Sequence, residues 1–190
     1  MSGHRQGGST RARIQEVALE LFGEQGYEKT SLREIADRLG VTKAALYYYY
    51  KTKDDIVVSC VEDYLAELDE VIEWGTLQPR TDQTRREVIC RYADVVLHRR
   101  AAMRFFQQNP SAERITIGSE FKARMATLHG LLVDPDGPLT QRVRALAAIA
   151  SLHLAPAVLQ HDGYTPEQVR DAVLSVSQDL VAAHHSAEPV

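Results

Sequence analysis

Cysteine is scarce in this chain: Cys60 and Cys90 are the only two, and they fall on separate expected helices. Both lie among apolar neighbours and read as buried, reduced thiols, since a disulfide framework needs several pairs in a small secreted chain. Arg91 beside Cys90 is the one basic neighbour that a redox-sensing pair would use. No uninterrupted apolar run nears the roughly 18 residues of a membrane span, and the first residues carry no signal-peptide core. The expectation is a cytoplasmic chain without a membrane partner. None of G-x-x-x-x-G-K, G-x-G-x-x-G, G-x-S-x-G or H-E-x-x-H occurs. His153 and the pair His161-Asp162 have no second catalytic group in sequence reach, so neither an enzyme nor a cofactor is expected. The histidines show no i, i+4 pairing, and His184-His185 falls in a tail, which argues against a metal site. Internal repeats and the alternating pattern of half-buried strands are also missing. An all-α chain is expected.

What is present concentrates in Gly40 to Lys53, GVTKAALYYYYKTK. At about 100° per residue, four successive tyrosines on a helix point in four directions, and one core can take one such face. Leu46 and Tyr50 continue an apolar stripe begun by Val41 and take the inner side. Tyr47, Tyr48 and Tyr49 are then at least partly exposed. They stand among Arg38, Lys43, Lys51 and Lys53, with no acidic residue from Arg38 to Lys53. Exposed hydroxyl-bearing rings in a cationic segment suit a phosphate backbone and base edges.

The residues before this run supply a scaffold for it. Ile14, Val17, Ala18, Leu21 and Phe22 have helical spacing, marking a helix over about 11–25 that Gly26 ends. Ser31 and Glu34 form an S-x-x-E capping box for a second helix, whose inner side is Leu32, Ile35, Ala36 and Leu39. Gly40 stops it, and Thr42 caps a third helix over about 43–50. Two short helices joined by a tight glycine turn make a helix-turn-helix, whose second helix enters the major groove. Thr52-Lys53-Asp54-Asp55 opens a fourth helix with its acidic pair at the positive end of the dipole. Residues 1–53 hold nine Lys/Arg against six Asp/Glu, while 54–190 hold thirteen against twenty, giving a basic head on an acidic body.

The segment ALELFGEQGYEKTSLREIADRLGVTKAALYYYYKTKDDI resembles the DNA-binding region of the TetR family of bacterial transcriptional regulators. The resemblance covers residues 11–74. It implies an all-helical homodimer with a helix-turn-helix domain and a larger C-terminal domain for dimerisation and effector binding. The activity it implies is sequence-specific repression of transcription at a double-stranded operator, an inverted repeat, relieved by a small molecule. Carried over by position, Lys43 and Ala44 face base edges and Tyr47 and Tyr49 face phosphate. Tyr48 meets phosphate or a thymine methyl, and Lys53 adds a backbone contact. Thr30 and Arg33 hold the other side of the groove, and Thr42 belongs to the same contact set. The sequence departs from the family pattern at Tyr49, where histidine is common, and at Tyr50, where phenylalanine is usual. The Tyr50 hydroxyl therefore needs a partner near the core. A single lysine beside alanines reads few bases, so groove shape shares the work.

Residues 1–10 read as a disordered tail, whose Arg5, with Arg11 and Arg13 just beyond, could reach a neighbouring groove. The expected boundaries are 11–53 for the helix-turn-helix domain and 54–190 for the effector and dimerisation domain. Within the latter, helices are expected at about 53–75, 82–108, 119–133, 139–160 and 166–184, with 111–117 ambiguous. The last two helices each carry two apolar stripes. One runs through Val143, Leu146, Ala147, Ala150, Leu154 and Ala157; the other through Ala145, Ile149, Leu152 and Leu159. In the final helix Val169, Ala172, Val173, Val176 and Leu180 oppose Leu174 and Val181. Two apolar faces imply a partner or burial within the subunit's own core; the partner reading assigns Ile149, Leu152, Leu159, Leu174 and Val181 to a two-fold, four-helix dimer interface. Effector contacts are expected from Trp74, Tyr92, His98, Met103, Phe106, Phe121, Met125, His129 and His153, a set suited to an apolar or aromatic molecule. A ligand-independent DNA-binding architectural protein is the alternative.

Overall fold

The structure, a computed structural model, describes residues 9–108, 118–159 and 163–182. Among these are nine α-helices and no strand. The expected tail at 1–8, the ambiguous 111–117, His161-Asp162 and His184-His185 lie outside the described residues.

The chain packs as two compact units. The first holds residues up to Asp63 together with Arg100–Thr116; the second holds Tyr64–Arg99 and the chain from Ile117 onward. The first unit thus extends past residue 53, taking in the start of the fourth helix and a later helical segment. Its helices are α1 (Thr10–Gln25), α2 (Leu32–Leu39), α3 (Lys43–Tyr49), the first part of α4 (Lys53–Thr76), and α6 (Arg100–Gln108). Ser9 caps α1 by accepting from the Ala12 N–H at 3.2 Å, so the helix begins inside the segment expected as tail. Gly26 closes α1 at φ 91°, a conformation that favours glycine. The Ser31–Glu34 capping box forms in full. Gly40 ends α2 in the left-handed region, and the Val41 N–H returns to the Ala36 carbonyl at 3.0 Å. Ile14, Ala18, Phe22, Ile35, Leu46, Tyr50, Ile56 and Cys60 are buried in this unit. Val41 departs from expectation: sitting on the turn after Gly40, it is exposed and starts no inner stripe.

One continuous helix was expected over 82–108. The chain instead breaks at Arg99 (φ −100°, ψ 18°) into α5 (Asp82–His98) and α6. Arg99 is pinned by two donors to the Glu67 carboxylate at 3.0 and 2.5 Å. Beyond the break, α6 buries Ala102 and Phe105 in the first unit. Amphipathic spacing continues across such a turn, which is why periodicity misses it.

The second unit comprises the rest of α4 with α5, α7 (Gly118–Leu131), α8 (Leu139–Leu159) and α9 (Pro166–Ala182). Leu68, Val88, Ile89, Tyr92, Leu128, Leu132, Ala148 and Val173 form its core. Here the dimer assignment needs correction. Ile149, Leu152 and Val181 are buried within the subunit, and Leu159 and Leu174 are half-buried. The inner side of α8 packs on α9, and those side chains fill that contact. The free face is the other stripe: Val143, Leu146, Ala147, Ala150, Leu154 and Ala157 are exposed, joined by Val158, Ala172 and Val176. Sequence spacing identifies two faces of a helix without saying which the subunit uses for itself. By length and composition α8 is also long and apolar enough to cross a bilayer. The expectation drawn from uninterrupted runs had not registered this, because Arg142, Arg144 and His153 interrupt the apolar residues. Of the two cysteines, Cys60 is buried as expected, while Cys90 is only half-buried; neither forms a disulfide. Burial, with Asp94 and Glu87 nearby, raises the Cys90 pKa and disfavours its thiolate.

Candidate nucleic-acid interface and the polar cluster of the second unit

Thr42 starts α3 by accepting from the Ala45 N–H at 3.2 Å. Leu46 anchors the helix inward at full burial, and Tyr50 leaves helical geometry at φ −138°, ψ 130°. The Tyr50 ring is buried and its hydroxyl meets Ser59 Oγ at 2.9 Å. Ser59 also donates to the Ile56 carbonyl and accepts from Gln15 Nε2. The hydroxyl that the sequence placed near the core therefore has a partner. Gln15, buried and bonded also to Asp63 at 2.8 Å, was invisible to periodicity, because a polar residue on the inner side breaks the pattern.

The outer face of α3 carries Lys43, Ala44, Ala45, Tyr48 and Tyr49 exposed, with Tyr47 half-buried. Tyr48 is 81% exposed, and its ring meets that of Tyr49 edge-on at 5.3 Å between centroids. The Lys43 ammonium lies 5.2 Å from the centre of the Tyr47 ring. Lys51 donates to the Tyr47 carbonyl at 2.6 Å. No carboxylate is paired with Lys43 among the described residues. Arg38 is different: its guanidinium is engaged by Glu24 at 2.9 Å, and that contact lowers the Glu24 pKa. Arg33 stays exposed with a loose 3.8 Å contact to Asp37.

Two residues expected to contact DNA have partners within the head. Thr30 is 2% exposed and its hydroxyl donates to the Gly26 carbonyl at 2.9 Å while accepting from Gln25. Its hydroxyl closes the α1–α2 loop and cannot reach a phosphate. Lys53 donates to the Tyr27 carbonyl at 2.5 Å and to the Glu28 carbonyl at 3.4 Å, with its ammonium 4.4 Å from the Tyr27 ring centre.

The remaining candidates separate in space. Tyr92, Phe121, Met125 and His153 come together in the second unit, joined by Tyr64, which was not among the expected effector contacts. Tyr92 Oη lies 2.6 Å from His153 Nε2 and 3.0 Å from Tyr64 Oη, and it donates to Met125 Sδ at 3.6 Å. Phe121 stacks tilted on Tyr64 at 6.0 Å. Trp74 instead lies under the Arg91 guanidinium at 4.1 Å, and His129 Nε2 meets the Arg142 carbonyl at 3.0 Å. His98 is exposed beside Glu67, at the edge of an open groove of about 550 Å³ lined by Glu67, Glu70, Val71, Arg91, Asp94 and Val95. Met103 belongs to the first unit, and the Phe106 side chain lies outside the described residues.

Burial holds the His153 imidazole below its ordinary pKa of 6.5, and burial together with Tyr64 pushes the Tyr92 phenol far up. Burial thus favours the neutral form of His153 in the folded chain. Below about pH 6.5 the unfolded chain binds a proton that the folded chain does not. Its contribution is complete above that pH and is lost as pH falls toward the lower folded value. The melting temperature should drop on acidification from about pH 7 to about pH 5, and drop less in His153→Gln. An equal decline in both proteins would show that His153 is not the group responsible.

Residues 14–60 match the family described as "Bacterial regulatory proteins, tetR family". That stretch, from α1 into α4, is similar to the TetR family of regulators. A stretch of 47 residues is 51% identical to the HTH-type transcriptional regulator AcrR of Shigella flexneri, covering 25% of this chain and 22% of that protein. The matched stretch thus spans about a quarter of the length of such curated relatives. Over the whole chain the likeness is one of fold. The crystal structure of Mycobacterium smegmatis AmtR superposes with a TM-score of 0.71 at 20% identity, covering 97% of this chain and 92% of that one. FadR from Bacillus subtilis, solved in complex with stearoyl-CoA, gives 0.61 at 20% identity, covering 92% and 99%.

Proposed function

We propose that this chain is a homodimeric, sequence-specific DNA-binding regulator of transcription, a repressor released by a small molecule. The observation that carries the reading is the outer face of α3, where an unpaired lysine, a small residue and three tyrosines project from a helix held by buried Leu46 and Tyr50. Lys43 has the reach and charge for a guanine O6/N7 contact, Ala44 leaves room for it, and the tyrosine hydroxyls suit phosphate oxygens. The exposed stripe of α8 and α9 is the proposed dimer seam, and a two-fold dimer would place two α3 helices on successive major-groove faces of an inverted repeat. The Tyr64–Tyr92–His153 cluster with Met125 and Phe121 is the proposed effector site for an apolar or aromatic molecule. Tyr64 lies on α4, whose first turn carries Lys53 and Asp54, so an effector that moved α4 would alter the head's hold on DNA.

Selection from a randomised duplex pool at two salt concentrations tests this. An enriched inverted repeat is the expected result; binding that only collapses with salt, without enrichment, refutes sequence-specific regulation. Within that assay Lys43→Ala should relax preference at one base pair per half-site, a loss of about 1–3 kcal/mol of discrimination. Unchanged preference would remove Lys43 from the role of base reader. The full burial of Tyr92 favours a second reading, a DNA-binding architectural protein with a solid second unit. A thermal-shift screen separates the two, because any stabilising small molecule supports the effector-responsive protein.

A further inference from the structure

Lys53 and its surroundings carry a step that the helix-turn-helix alone does not contain. The Lys53 ammonium is engaged three ways on the α1–α2 loop: by the Tyr27 carbonyl, by the Glu28 carbonyl and by the Tyr27 ring face. The Tyr27 hydroxyl in turn donates to the Asp54 carboxylate, on the residue next to Lys53. The Tyr27 ring itself is clasped between Phe22 at 4.9 Å and Phe105 of α6 at 5.6 Å, and those two rings meet at 5.3 Å. One aromatic side chain thus ties together the end of α1, the first turn of α4 and α6, all within the first unit.

We propose that Tyr27 is a positioning residue that holds Lys53 in reserve, and that α6 sets how firmly it does so through Phe105. This rests on the DNA-binding reading above. For Lys53 to meet a phosphate it must leave two carbonyls and a ring face, so DNA binding is weakened by the strength of that hold. α6 packs in the first unit yet is inserted in sequence between the two stretches of the second, Tyr64–Arg99 and the chain from Ile117. Arg99, fixed to Glu67, is the residue immediately before it. Within the first unit, Phe105 is the α6 side chain that bears on the Tyr27 ring. Loosening the clasp releases Lys53 and strengthens DNA binding; tightening it weakens binding.

The test is a double-mutant cycle on the full chain, with a random-sequence duplex as the probe and fluorescence anisotropy across a salt series. Phe105→Ala removes the clasp and should raise affinity roughly five-fold per head, the scale of one solvent-accessible cation–ring contact. Tyr27→Phe keeps the ring in its cluster and removes only the bond to Asp54, so it should give a smaller gain in the same direction with the fold intact. In a Lys53→Ala background both gains should vanish, and the salt slope should fall by about 0.9 per head. Gains that persist without Lys53, losses in both single variants, or a slope indifferent to Lys53 overturn the proposal. A parent protein that binds no duplex at all refutes the DNA reading itself, which distinguishes the two failures.

Discussion

Leu146→Glu combined with Leu154→Glu is expected to leave the chain folded and to make it monomeric. Both side chains are more than half exposed on the free side of α8, in line with Val143, Ala147, Ala150 and Ala157 at helical spacing. An apolar stripe of that length on a single subunit is surface still to be covered, and its small residues permit close approach of a second helix pair. Burying a leucine contributes about 1.5–3 kcal/mol, and a two-fold seam uses each position twice. Two such losses per protomer, with carboxylates left to desolvate, should raise the dimer dissociation constant by at least about 10⁴-fold. Sedimentation at micromolar protein would show one subunit mass with unchanged helicity, and operator binding would fall to that of a single head. A variant that still sediments as a dimer would place the seam elsewhere. Ile149→Ala provides the contrast: that side chain faces the subunit's own core, so it should lower stability and leave assembly of the folded fraction alone.

Asp134→Ala is expected to lower the melting temperature by roughly 6–12 °C. Arg85 lies buried on α5, its guanidinium paired with Asp82 at 2.7 Å and Asp134 at 2.5 Å. Its Nε has no acceptor among the described residues, so the ion depends on those two carboxylates. Asp134 also accepts from Gln141 Nε2 at 2.9 Å, and its own N–H donates to Gln141 Oε1 at 3.2 Å, which fixes the loop between α7 and α8. Removing one partner of a buried charge is destabilising by about 3 kcal/mol or more, and each kcal/mol is worth about 2–4 °C in a chain of this size. The comparison is Asp69→Ala. Asp69 pairs with Arg124 through two bonds at 2.8 and 3.0 Å, but both side chains are partly in water. Such surface pairs contribute up to about 1 kcal/mol, so the shift should be about 3 °C or less. Equal shifts in the two variants would mean that the burial of Arg85 carries no special weight.

Most of the head could be read directly from residues. Ser31 with Glu34, Gly40 and Thr42 act on their own neighbours in the chain, so their caps and stops formed where the spacing put them. Tyr50 and Leu46 turned inward, and Tyr48 outward, because the helical period leaves them no other choice. The partners of Thr30 and Lys53 could not be read that way: they are carbonyls at Gly26 and Tyr27, contacts set by how the loop folds back. In the second unit only four of the nine proposed effector residues converge, and Tyr64, which links Phe121 to Tyr92, gave no local signal.

By itself the sequence determined an all-helical chain, the caps and stops of the head at Gly26, Ser31, Gly40 and Thr42, the helix-turn-helix and the outward tyrosines of α3. Each follows from interactions within about one helical turn, or from a period of 3.6 residues. Tertiary structure alone decided three things: which stripe of α8 belongs to the subunit and which stays free, where α5 ends and α6 turns away, and which side chains meet Tyr92. These depend on groups far apart in the chain, whose meeting is governed by packing, and neither spacing nor composition encodes which of two apolar faces finds its partner first.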